Sequence, residues 1–103
     1  MLRLKRGRKG VGASAVRHFS KKYGILLSDH AADRFVTQKR GKSKRHYSEA
    51  ELVSVWKQGP NYRESNNRLV KYYNGIAVIY NERDRVIISM VVRKNAKKDW
   101  GEI

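Results

Sequence analysis

Asn74-Gly75 lies between two runs of alternating residues, Arg68–Tyr73 and Ile76–Asn81. A two-residue loop of this type takes positive φ at both positions, and its twist matches that of the strands it joins. It therefore specifies an antiparallel hairpin and sets its register, with Tyr73 opposite Ile76, Lys71 opposite Val78 and Leu69 opposite Tyr80. Two further alternating runs flank the hairpin. Tyr62–Ser65 precedes it, and Val86–Arg93 follows across the turn Glu82-Arg83-Asp84-Arg85. With a four-residue loop there, Asn81 opposes Val86 and Val78 opposes Ser89.

Upstream of Tyr62 the apolar spacing is helical. Val16, Phe19 and Tyr23 share one face of a helix over 13–23, which Gly24 stops. Ser28 caps a second helix, with Asp29 in its first turn and Ala31, Ala32, Phe35 and Val36 as its apolar stripe. Ser48-Glu49-Ala50-Glu51 is a capping box opening a third helix through Leu52, Val53, Val55 and Trp56, which Gly59-Pro60 ends. Helices followed by an antiparallel meander predict an α+β fold, with two or three N-terminal helices packed on one face of a three- to four-stranded antiparallel sheet. Residues 1–12, basic and punctuated by glycine, read as a flexible arm or linker stub, which leaves 13–103 as a single domain.

Alternation sorts the strand residues into two faces. Val70, Tyr72, Ala77, Ile79, Val86, Ile88, Met90 and Val92 form one, almost wholly apolar and therefore expected beneath the helices. Leu69, Lys71, Tyr73, Ile76, Val78, Tyr80, Ile87, Ser89, Val91 and Arg93 form the other. This second face mixes apolar residues with groups that suit a phosphodiester. Lys and Arg offset charge on phosphoryl oxygens, Tyr stacks or donates its hydroxyl, and Ser orients an oxygen. An ordinary half-wet antiparallel face explains any one of them equally well.

Charge narrows the partner. The chain of 103 residues carries 24 Lys and Arg against 9 Asp and Glu, a formal net charge of +15. The excess is concentrated in the first half, where Lys39, Arg40, Lys42, Lys44 and Arg45 crowd around Gly41. Such a balance favours a polyanionic partner, with nucleic acid first because phosphate neutralisation releases counterions. Arg68 and Arg93 extend the cationic set onto the strands. There is no cysteine, so neither a disulfide framework nor a thiolate metal site is available. His18, His30 and His46 lack ligand spacing, and neither a metal nor a cofactor is expected. No apolar run reaches the roughly 20 residues of a membrane span.

The stretch Ser28-Asp29-His30-Ala31-Ala32-Asp33-Arg34-Phe35 resembles the H-A-x-x-R helix of small ribonuclease-like toxin domains. A basic loop, a Ser-Glu-x-Glu helix start and a sheet ending in Val86-Ile87-Ile88-Ser89-Met90-Val91 follow in the order seen in those domains. Residues 28–93 thus resemble the superfamily linking barnase, EndoU, colicin-type tRNases and RelE. They are most similar to C-terminal toxin modules of contact-dependent inhibition and polymorphic toxin systems. The resemblance implies metal-independent RNA cleavage, often in tRNA, and an acidic immunity protein or antitoxin as partner. It implies action in the bacterial cytoplasm after delivery within a larger secreted protein. His30 and Arg34 match the helix pair and Ser89 the hydroxyl residue of the last strand. Lys71 and Tyr73 lie where other members carry cationic or aromatic groups.

The chemistry so implied is attack of a ribose 2′-OH on the adjacent phosphorus, which needs a base, an acid and cations. Histidine suits either proton role, its unperturbed pKa being about 6.5. His30 and Arg34 are one turn apart on a helix; His46 is the alternate acid or base, and His18 belongs to a supporting helix. Two other readings share the charge. One is a non-enzymatic RNA- or DNA-binding protein, the other a ribosome-dependent mRNA interferase of a toxin–antitoxin pair. Trp56 reads as core, and Trp100 either stacks a base or closes the core.

Overall fold

The computed structural model describes the backbone of residues 2–38 and 46–102 and the side chains of 12–38 and 46–101. Three helices, α1 (Leu2–Tyr23), α2 (Asp29–Thr37) and α3 (Glu49–Gln58), precede five strands. These are β1 (Asn61–Ser65), β2 (Arg68–Tyr73), β3 (Ile76–Asn81), β4 (Ile87–Val92) and β5 (Gly101–Glu102). The sheet order is β4-β3-β2-β1-β5 and every pairing is antiparallel. The α+β architecture is the one expected, with the short β5 added at one edge. The segment read as a basic arm is helical backbone, because α1 begins at Leu2.

The local signals act where they were read. Gly24 adopts φ +69° and donates its N–H to the Ser20 carbonyl, closing α1. The Ser28 hydroxyl accepts from the Ala31 N–H. Ser48 and Glu51 exchange both bonds of a capping box. Asn74 and Gly75 take φ of 52° and 80°, and the hairpin has the expected register. Within α1, a Cβ on Gly12 would stand 3.3 Å from the Ala32 Cβ, so a residue without a side chain lets α1 and α2 approach closely.

Two expectations about the sheet are overturned. The face that meets the helices is not Val70, Tyr72, Ala77 and Ile79 but the opposite one. Leu69, Ile76, Val78, Tyr80, Ile87 and Met90 pack with Phe19, Ile25, Leu27, Ala31, Ala32, Tyr47, Leu52 and Val55 in the main core. The other face forms a second, smaller core of Val70, Ala77 and Trp100, with Tyr62, Tyr72, Ile79, Val91 and Ala96 around it. Trp100 is therefore a lid on the sheet rather than an exposed stacking platform. Secondly, the β3–β4 register slips by one residue. Tyr80 opposes Ile87 while Ile79 opposes Ser89, which leaves Ile88 as the extra residue of a bulge. Val78 then faces Met90 instead of Ser89. A one-residue slip moves each later side chain to the other face, so Met90 and Val92 lie on the helix side and Ser89 and Val91 on the outer side.

Candidate functional site

The β4 edge of the sheet is covered by the chain leading into α2. Leu27 bridges Ile87 in parallel; the Ile87 N–H donates to the Leu26 carbonyl at 2.8 Å and the Ser28 N–H to the Ile87 carbonyl at 2.8 Å. Further along, Arg34 Nε donates to the Met90 carbonyl at 3.3 Å. The helix is thus tied to β4 at two points, and the Ile87 backbone groups and the Met90 carbonyl, which would otherwise help recruit another strand, are occupied. His30 and Arg34 are both exposed and stand at i and i+4, on one flank of α2. Ser89 precedes the residue that Arg34 grips and opposes Ile79 on the outer face. Of these three expected site residues, Arg34 is tied to β4, whereas Ser89 points to the outer face, away from the face on which α2 packs.

Lys71 and Tyr73 do not join them. Lys71 pairs with Val78, which pairs with Met90, so its side chain lies on the helix side of the sheet while that of Ser89 lies on the other. Tyr73 shares the Lys71 face at the hairpin end, 37% exposed. The single five-residue centre expected from the sequence therefore does not form. Its error was the bulge at Ile88, for which alternation carries no signal.

The remaining expected residues divide as follows. Lys39, Arg40, Lys42, Lys44 and Arg45 lie outside the described residues. The chain on either side of them is clasped, since the Gln38 amide donates to the Tyr47 carbonyl at 2.8 Å and accepts from the Tyr47 N–H at 2.7 Å. Gln38 and Tyr47, which flank that segment, therefore meet at the C-terminal end of α2, one turn past Arg34. Exposed His46 adjoins that clasp. Arg68 is exposed at the start of β2. Arg93 packs its guanidinium 5.7 Å from the Trp100 ring centroid and donates from Nε to the Asn95 carbonyl, so the outer core occupies part of it. His18 is a support, as read: its Nε2 lies 2.9 Å from Glu49, which also accepts from the Tyr23 hydroxyl, tying α1 to α3. Those bonds, from Tyr23 and then His18, hold the Glu49 carboxyl below its ordinary range. Arg85, which sequence reasoning passed over as a turn residue, stands with Lys71 against the rings of Trp56 and Tyr80.

No family model, curated protein or solved structure matches this chain.

Among the described residues no three metal-ligating side chains converge, and no helix is long and apolar enough to cross a membrane. The burial of the Tyr47 side chain beside the clasp is testable by pH. Burial pushes the Tyr47 hydroxyl up to about 12, against a smaller opposing effect from Arg34. A group whose pKa is raised by folding contributes fully below its unfolded value, near 10, and loses that contribution as pH rises toward the folded value. Urea unfolding at pH 9 and pH 11 should therefore show the parent losing about 1 kcal/mol more than Tyr47→Phe. Equal losses would mean that the hydroxyl is not buried.

Proposed function

We propose that this chain is an RNA-cleaving domain acting by 2′-OH attack on the neighbouring phosphorus, with the α2–β4 rim as its centre. The observation that carries the reading is the anchoring of Arg34 on the Met90 carbonyl. It ties the helix bearing His30 and Arg34 to the strand bearing Ser89, while the clasp joins Gln38 and Tyr47, which flank the basic segment, at the C-terminal end of α2. Among the described residues Arg34 meets the protein through Nε, and its Nη groups carry four further N–H donors of the kind that grip a phosphate in a fork. His30 moves the proton, Ser89 orients a phosphoryl oxygen, and residues 39–45 hold the flanking phosphates. On this reading the partner that restrains the protein is an acidic immunity protein or antitoxin. The site of action is the bacterial cytoplasm, reached within a larger secreted protein.

A second reading is a non-catalytic RNA- or DNA-binding domain. The division of Lys71 and Tyr73 from Ser89 favours it, because it takes two of the five expected catalytic groups away from the rim, where the reaction uses an acid, a base and cations. Incubating the purified chain with total cellular RNA in EDTA separates the two. Discrete fragments, lost in His30→Ala, support cleavage. Intact RNA, retained with an affinity that falls steeply with salt and is indifferent to His30→Ala, supports the binder. Cleavage only after ribosomes are added would instead identify a ribosome-dependent interferase.

A further inference from the structure

Lys71 is nine-tenths buried, at 8% exposure, in the middle of β2 under α3. A lysine so placed ordinarily meets a carboxylate or a set of carbonyls. Here, among the described residues, its neighbours are aromatic: Nζ lies 5.4 Å from the Trp56 ring centroid and 6.0 Å from that of Tyr80. The same two rings receive a second cation. The Arg85 guanidinium carbon stands 5.2 Å from Trp56 and 5.4 Å from Tyr80. The Tyr80 hydroxyl is turned to Asn61, donating to its Oδ1 at 2.7 Å. The two acids of this turn are engaged elsewhere: Asp84 Oδ1 accepts from the Val86 N–H at 3.0 Å, and Glu82 holds Arg63 through two bonds of 3.0 Å.

The backbone beneath Arg85 is also unusual. Its φ is +62°, the left-handed region in which glycine is the undemanding choice. Asn81 accepts from its N–H at 2.9 Å and keeps it there. A bulky cation held in a conformation that costs free energy, beside a second cation and a pair of rings, reads as a functional arrangement. The two like charges oppose each other, and burial followed by the Arg85 charge lowers the Lys71 pKa. Cation–π contact accounts for one cation on one ring; it does not account for two converging without an anion.

We propose that Lys71 and Arg85 form a binding site for a phosphate-type oxyanion at the junction of α3, β2 and the β3–β4 turn. The anion supplies the missing counter-charge, accepting from the Lys71 ammonium and the Arg85 fork together. Recognition is through charge and N–H donors, because the cations already occupy Trp56 and Tyr80. The phosphate belongs either to a free nucleotide or to a nucleic-acid backbone. The site uses none of the residues of the α2–β4 rim and stands independently of the cleavage reading.

Thermal unfolding at pH 7 and fixed ionic strength, in chloride and with rising inorganic phosphate, tests it. The parent should show a saturable rise in Tm. Lys71→Met keeps the stem and drops the charge; Arg85→Gly drops the guanidinium and suits the positive φ. Each should weaken the phosphate response at least tenfold in midpoint, and Lys71→Met should melt higher than the parent in chloride. Lys98→Gln, an exposed change of equal charge, should respond like the parent, as should His30→Ala. A parent without a saturable response overturns the site. So does a Lys71→Met protein that still responds, or one that melts lower than the parent in chloride, which would make Lys71 a structural clamp on the rings. Adenosine 5′-monophosphate and a single-stranded DNA oligonucleotide distinguish the sources. A Lys71-dependent response to the mononucleotide identifies a free-nucleotide site, and one to the oligonucleotide alone identifies a backbone phosphate; both support the proposal.

Discussion

Trp100→Ala should cost about 3–5 kcal/mol of unfolding free energy, a large share of what a domain of this size has. The indole is 7% exposed and covers Val70 and Ala77, both fully buried on the outer face of the sheet. Its ring also meets those of Tyr62 and Tyr72, with centroids 6.0 and 6.4 Å away. The tail that delivers it is pinned at its root, where the Tyr72 hydroxyl donates to the Arg93 carbonyl at 2.7 Å and the Arg93 N–H to the Gly75 carbonyl. Removing the ring would return that apolar surface to water. Trp100→Phe should behave differently. Among the described residues the buried indole Nε1 has no hydrogen-bond partner, and an unsatisfied buried donor costs about 1–3 kcal/mol. Phenylalanine removes the donor and leaves a smaller gap, so the net change should stay within about 1 kcal/mol. Urea unfolding of the three proteins checks both. Alanine and phenylalanine variants of equal stability would mean that the tail does not seal this face.

His30→Ala should reduce RNA cleavage at least about 100-fold, the usual loss on removing a positioned acid or base. Arg34→Ala should lower it by a similar factor for a different reason. That substitution removes the phosphate fork and also frees α2 from the Met90 carbonyl. Arg34→Lys separates these effects. It keeps the positive charge but loses both the fork and the planar Nε bond, so activity should fall about tenfold or more. Both residues are exposed, so the variants should unfold within about 0.5 kcal/mol of the parent, apart from the lost Arg34 bond. Lys98→Gln, with the same loss of charge at an exposed tail position, should retain full cleavage. A loss in Lys98→Gln equal to that in Arg34→Ala, with Arg34→Lys unaffected, would mean that net charge, rather than the rim, governs the activity.

The helices, their caps and the central hairpin were legible because each rests on local chemistry. Ser28 and Ser48 satisfy helix N–H groups, Gly24 accepts a positive φ, and Asn74-Gly75 accepts two. The packing side of the sheet was not legible in the same way. Alternation set an almost wholly apolar face against a mixed one, and Lys71 and Tyr80 made the true inner face look wet. Trp100, far along a polar tail, decides the matter by covering the other face, and no local spacing announces that contact. The bulge at Ile88 was equally silent, and with Arg85 in the left-handed region it carries Ser89 away from Lys71. His30 and Arg34 survived as a pair because helical spacing alone puts them on one flank. Arg85 escaped notice because a basic residue in a turn is ordinarily solvated.

The central claim is that nucleic acid meets the protein along α2 and β4, not beneath the helices. Backbone amide chemical shifts should be followed while a short RNA with 2′-O-methyl groups, which cannot supply the attacking hydroxyl, is added to the folded chain. The account predicts that the largest shifts cluster at Ser28–Arg34 and Ile87–Met90, with Gln38 and Tyr47 following. Shifts spread evenly over exposed lysines and arginines, with none concentrated on those two segments, would contradict it.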